Sequence, residues 1–228
     1  MRALLVVVLV LLGLAVVGDR LAVGVAESRV AGELAAKGGL AGPPDVEIAG
    51  FPFLTQAVAG RYDDVRISLT ADELGQPEGT RADIALHGVH VPLSSVLSGS
   101  VSQVPVDRID GTATLSYALL SAQLGGDATV QREGGGLRIT RTVELLGQTL
   151  PLTAVGTVAL DGNDLVVDVS NASGAGVDIP GVLVSRVSDL LDLRYPVPAL
   201  PFGLQVTGVQ PADDGVDVRI AAQDTVLG

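Results

Sequence analysis

The chain has 228 residues and a formal net charge of −12, from 14 Lys and Arg against 26 Asp and Glu, with no Cys, no Trp and 3% aromatic residues. That balance argues against a nucleic-acid partner, because no basic stripe is present to meet phosphates, and against general electrostatic adhesion to anionic membranes. Without cysteine there are no disulfides and no thiolate chemistry, and 47% hydrophobic residues with so few rings means an interior of Val, Leu, Ile and Ala.

Met1-Arg2 precedes an unbroken stretch of apolar residues and glycine from Ala3 to Val17. One Arg before such a stretch is the pattern of a secretory signal, so the protein is expected to be exported. No Ala-x-Ala stands near its end and no Cys offers a lipoprotein site, so residues 1–18 fit a signal peptide and an uncleaved signal-anchor alike. The stretch is short for a full membrane span. Asp19-Arg20 leads into Leu21, Val25, Val30 and Leu34, interspersed with Glu27, Arg29, Glu33 and Lys37. This predicts an amphipathic helix over 20–37, able to continue the apolar segment and ending at Gly38-Gly39. Residues 19–228 are expected to form a single domain.

Gly42-Pro43-Pro44 marks a boundary before the first strand. Ile48-Ala49-Gly50-Phe51-Pro52-Phe53-Leu54-Thr55-Gln56 follows, then Gly60-Arg61-Tyr62-Asp63-Asp64-Val65. Two of the 3 Phe in the chain sit here around a proline. Gly50 frees the backbone for a sharp turn and Pro52 biases Phe51 towards extended geometry. Leu54, Ala57 and Val58 fall at helical spacing, so a short helix is expected to start near Pro52 and end at Gly60. Two readings stand open: the corner is a core plug, or it stoppers or lines a pocket for an apolar ligand.

The string from Val46 to Val65, with Gly50-Phe51-Pro52-Phe53-Leu54-Thr55-Gln56 and then Gly60 and Tyr62, resembles the signature of the LmeA-like phospholipid-binding proteins of actinobacterial cell envelopes. Only this stretch is diagnostic, although the wider layout is similar over most of the chain. The resemblance implies a curved sheet wrapped around helices and enclosing an apolar lipid cavity, as in tubular lipid-binding folds. It implies a phospholipid partner, with an inositol phospholipid one candidate, and it brings no catalytic residues.

Beyond the motif the chain reads as strands. Val65, Ile67 and Leu69 alternate with polar residues, and so do Ile84 and Leu86. Val89 and Val91 change parity after Gly88, which predicts a bulge there. Further strands are expected within 104–115, 137–145, 150–160, 165–169, 204–209 and 216–220. Asp161-Gly162-Asn163-Asp164 and Asp213-Asp214-Gly215 supply hairpin chemistry. Short helices are expected at 92–97 and 117–124. A longer one at 180–193 carries Leu183, Val187, Leu190 and Leu191 on one face. The expected fold is thus α+β: one long curved antiparallel sheet around two amphipathic helices (20–37 and 180–193), behind an N-terminal hydrophobic segment.

Chemistry is sparse. His87 and His90 fall on opposite faces of a regular strand, and only a bulge at Gly88 would bring them together. Carboxylates cluster in turns, and no nucleophile elbow, phosphate-cradling loop or zinc-helix motif occurs. The protein is read as no enzyme, with no cofactor and no metal. The leading function is an exported, envelope-side protein that binds phospholipid in an apolar cavity, for carriage, presentation or sensing. Its cavity is expected to be lined by Phe51, Phe53, Leu54, Val58, Tyr62, Leu183, Val187, Leu190, Leu191 and Phe202. Arg61, Arg186 and Arg194 are the headgroup candidates. The rival reading is a structural envelope module with a solid core that acts through protein contacts.

Overall fold

The computed structural model describes residues 2–99, 101–125, 128–145, 148–161, 164–174, 177–178, 194–196, 200 and 203–228. The chain forms two compact units: residues 1–69, 83–111 and 222–228, and residues 70–82 with 112–221.

The first unit opens with α1 (Arg2–Gly38), a single helix of 37 residues. The apolar segment and the following helix are therefore continuous. After it come β1 (Asp45–Ala49), α2 (Phe53–Ala59) and β2 (Arg61–Leu69). β1 and β2 pair antiparallel, with Ile48 opposite Val65. β3 (Arg81–His90), α4 (Leu93–Ser98) and β4 (Val104–Ser116) complete most of the unit, together with the end of β12 (Gly215–Leu227). Alternation decides which side chains enter the core: Val46, Ile48, Val65, Leu69, Leu86, Val89, Val106 and Ile109 are all buried.

The second unit contains α3 (Ala71–Leu74), which the apolar pattern did not reveal. Its signal is a capping box in which Thr70 and Glu73 bond reciprocally. α5 (Tyr117–Gln123) follows, capped by the Ser116 hydroxyl, which accepts from Leu119 N. Then come β5 (Ala128–Glu133), β6 (Gly136–Leu145), β7 (Gln148–Asp161), β8 (Asp164–Gly174), β9 (Val177–Asp178), β10 (Arg194–Pro196) and β11 (Gln205–Pro211). Its core joins Val130, Leu137, Ile139, Leu152, Ala154 and Ala172 with Val216, and Tyr117 and Leu120 of α5, with Leu124 just after it, pack against them.

The single long curved sheet is not what forms. There are two sheets, ordered β1-β2-β3-β4-β12-β11 and β10-β8-β7-β6-β5, and neither is closed or curled. Both keep free ends, so wrapping around helices does not occur. The cause is local: β4 ends at Ser116 in the cap of α5, and the chain then starts a fresh ladder at β5. Period-two alternation reports which residues share a face, and it is silent on which strands share a sheet. The helix expected over 180–193 lies outside the described residues.

Candidate functional site

The motif folds into a tight corner of the first unit, held by α1. Gly50 takes φ +103, and a Cβ on it would lie 2.6 Å from Gln56 Nε2. The positive φ calls for glycine here, and the Gln56 amide occupies the space a side chain would take. Gln56 Nε2 donates to Ala49 O at 3.1 Å, and its Oε1 accepts from Asp63 N at 3.1 Å, so one side chain straps the end of β1 to the start of β2. Thr55 Oγ1 donates to Pro52 O at 2.7 Å. Gly60 closes α2 in the left-handed region at φ 68. Its carbonyl accepts from Val91 N at 2.9 Å, just before α4.

α2 begins without a capping side chain of its own, because Pro52 occupies the cap position. Asp19 of α1 supplies the missing acceptor: its Oδ1 takes the amide of Leu54 at 2.8 Å while Oδ2 pairs with Arg20 at 2.8 Å. Asp19 is only 2% exposed. Burial pushes its carboxyl up, but hydrogen bonds from the Leu54 amide, Arg20 and the Phe53 amide outweigh that, and the pKa falls below the ordinary aspartate value. One turn pair further along α1, Glu27 Oε1 accepts from Ile48 N at 2.9 Å on the edge strand β1. Asp19, Val23, Glu27 and Ala31 stand at i+4 intervals, and this stripe is the docked face of the helix.

The expected apolar face of α1 therefore needs correction. Leu21 and Val25 are exposed rather than buried. They form, with Gly24, the floor of an open groove of about 470 Å³ that Arg20, Ser28 and Arg29 flank. Two acceptor carboxylates that satisfy orphan amides decided the rotation of the helix, and an apolar count could not weigh them.

The expected lining residues of the motif divide between two environments. Phe53 is 5% exposed and its ring lies 6.0 Å from that of half-buried Tyr62. Burial pushes the Tyr62 phenol up. Phe51, Leu54 and Val58 face outward, at 62%, 46% and 75% exposure. The Arg20 guanidinium stands 5.1 Å over the Phe51 ring. Leu183, Arg186, Val187, Leu190, Leu191 and Phe202 lie outside the described residues. Arg194 opens β10, opposite Val166.

Arg61 belongs to the polar face of the sheet. Its Nη2 donates to Asp107 at 2.9 Å, and His90 Nε2 lies 3.2 Å from Arg61 Nη1 and 3.1 Å from Asp107 Oδ1. The bulge at Gly88 is real, with φ +64, and a Cβ there would collide with the Asp107 carboxylate. It shifts parity so that Leu86 and Val89 are both buried, while His87 and His90 are half-exposed together. His87 lies between Asp64 and Asp110 at 3.8 and 3.6 Å. Among the described residues no group of three or more His, Cys, Asp or Glu is arranged to hold a metal ion.

Neither the curated proteins nor the solved structures contain a match to this chain. A family model described as LmeA-like phospholipid-binding matches residues 17–221, from the end of the apolar stretch into β12. That family is one of lipid binders and not of enzymes. With the match covering most of its length and the signature corner built as described, the chain belongs to the LmeA-like phospholipid-binding family.

Proposed function

We propose that this protein is held at the outer side of a membrane by the apolar half of α1 and binds a phospholipid in the groove beside it. Family membership gives phospholipid binding, and the family together with the apolar helix is consistent with an exported, envelope-associated protein. The observation that carries the finer reading is the groove. Its floor of Leu21, Gly24 and Val25 is apolar and its flanks carry the cations Arg20 and Arg29, all on one open face of α1. Arg20 is engaged by Asp19, whereas Arg29 has no acidic partner among the described residues and is free to meet a phosphate. Removing an acyl chain from water contributes about 0.8 kcal/mol per methylene, so an apolar floor retains lipid without specific chemistry.

Native mass spectrometry of the full chain, purified in detergent, tests the reading. Bound phospholipid is expected on the wild type, and Val25→Asp and Arg29→Gln are expected to lose it while keeping the wild-type circular dichroism. Equal lipid occupancy in all three proteins would remove the groove from consideration. A wild-type protein that takes up neither phosphatidylinositol nor phosphatidylcholine would remove the function.

A further inference from the structure

Among the described residues the outward side of the signature corner is left uncovered. Leu54 and Val58 share one face of α2 at i and i+4, Phe51 stands just before them, and all three are exposed. α4 packs beside α2 and adds Leu93 and Val96, at i and i+3, which are exposed as well. Such a cluster on a chain of net charge −12 stands out, because scattered apolar residues are ordinary and contiguous ones mark an interface.

Its position identifies the occupant. Every large apolar residue from Leu4 to Val17 on α1 is exposed, and the helix is long and apolar enough to cross a membrane. The cluster is tied to the turn that follows: Asp19 holds the Leu54 amide at 2.8 Å, and Arg20 lies 5.1 Å over the Phe51 ring. Residues 17 and 20 are separated by about 4.5 Å along a helix axis. The stretch from Ala3 to Gly18 spans about 24 Å at helical rise, against a hydrocarbon core of about 30 Å. A span that short draws its flanking residues to the hydrocarbon boundary. Arg2 at the far end favours the cytoplasmic side, which leaves the corner on the opposite face.

We infer that Phe51, Leu54 and Val58, with Leu93 and Val96 of α4, insert into the leaflet from which α1 emerges, so that the signature corner is a membrane-docking tip as well as a fold element. This rests on the proposed membrane placement of α1. Arg20 then sits at headgroup level, its stem along the Phe51 ring and its charge towards phosphate. The contact is apolar, and the strongly acidic chain gains nothing from anionic lipid, so a zwitterionic bilayer suffices.

The absence of cysteine makes the test direct, since single cysteines carry a fluorophore without background. The full chain is reconstituted in phosphatidylcholine vesicles with and without brominated-chain phosphatidylcholine, labelled at Leu9→Cys, Val58→Cys or Glu33→Cys. Glu33 lies on the same helix about 24 Å beyond Val17 and serves as the aqueous reference. Expected are strong quenching at Leu9 and Val58, several-fold above that at Glu33. Quenching at Leu9 with none at Val58 overturns the docking tip and leaves the span intact. No quenching at either overturns both. Quenching at Val58 alone removes the span, and with it the leaflet from which α1 would emerge, and overturns the proposal in this form. A label at Val58 that turns blue-shifted yet resists brominated lipid identifies a protein contact instead and overturns the proposal.

Discussion

Asp19 and Leu54, 35 residues apart, are joined by a 2.8 Å hydrogen bond in which a carboxylate on one helix caps the first turn of another. The proline that opens α2 provides no side-chain acceptor, so the capping of that helix start depends on α1 being in place.

Asp19→Ala removes that acceptor and frees α2 from α1. The melting temperature is expected to drop by a few degrees, as for other lost helix caps in a chain of this size. Asp19→Asn keeps an oxygen for the Leu54 amide but loses the charge facing Arg20, so its drop is smaller. Thermal melts followed by circular dichroism separate the two.

The same group gives a pH dependence of known sign. Its folded pKa is lowered, so the unfolded chain binds the proton more readily and the stabilisation is fully present above the unfolded value. It is lost as pH falls from about 4 through the folded pKa. The gap in melting temperature between wild type and Asp19→Asn is expected to be constant from neutral pH to about 5 and to close below that. A gap that widens in acid would contradict the assignment.

Phe51 and Phe53 flank one proline and are expected to behave oppositely. Phe53→Ala empties a buried site against Tyr62 and costs about 3–5 kcal/mol. Phe51→Ala removes an exposed ring whose fold contact is the Arg20 stack, and costs under about 1 kcal/mol. Urea unfolding of the two variants measures the difference.

How much of this was legible beforehand depends on range. The corner could be read because its cues are local: Gly50, Pro52, the helical spacing of Ala57 and Val58, and Gly60 all act within a few residues. The Gly88 bulge and the hairpin joining β11 to β12 were visible for the same reason. What escaped is long-range. Nothing near Asp19 or Glu27 in the chain says that their partners are the amides of Leu54 and Ile48. The split into two sheets escaped likewise, since alternation carries no information on pairing. The family signature, being local, was found; the curved sheet attached to it was not what the strands built.

Gly88→Ala tests the bulge. The substitution forces a side chain into the left-handed region, at about 1–2 kcal/mol, and evicts the Asp107 carboxylate from Arg61 and His90. Gly135→Ala, where a Cβ meets open space, is the neutral control. Chemical denaturation of both is expected to show a loss only for the first.

α1 runs from Arg2 to Gly38 without a break and is gripped at Asp19 and at Glu27. Such a shaft has no joint. Turning its apolar end turns the corner at Phe51 by the same angle, and lifting it lifts β1. The unit that grips α1 therefore has its heading set by that helix: wherever the apolar end points, the direction faced by the Phe51 corner is fixed with it.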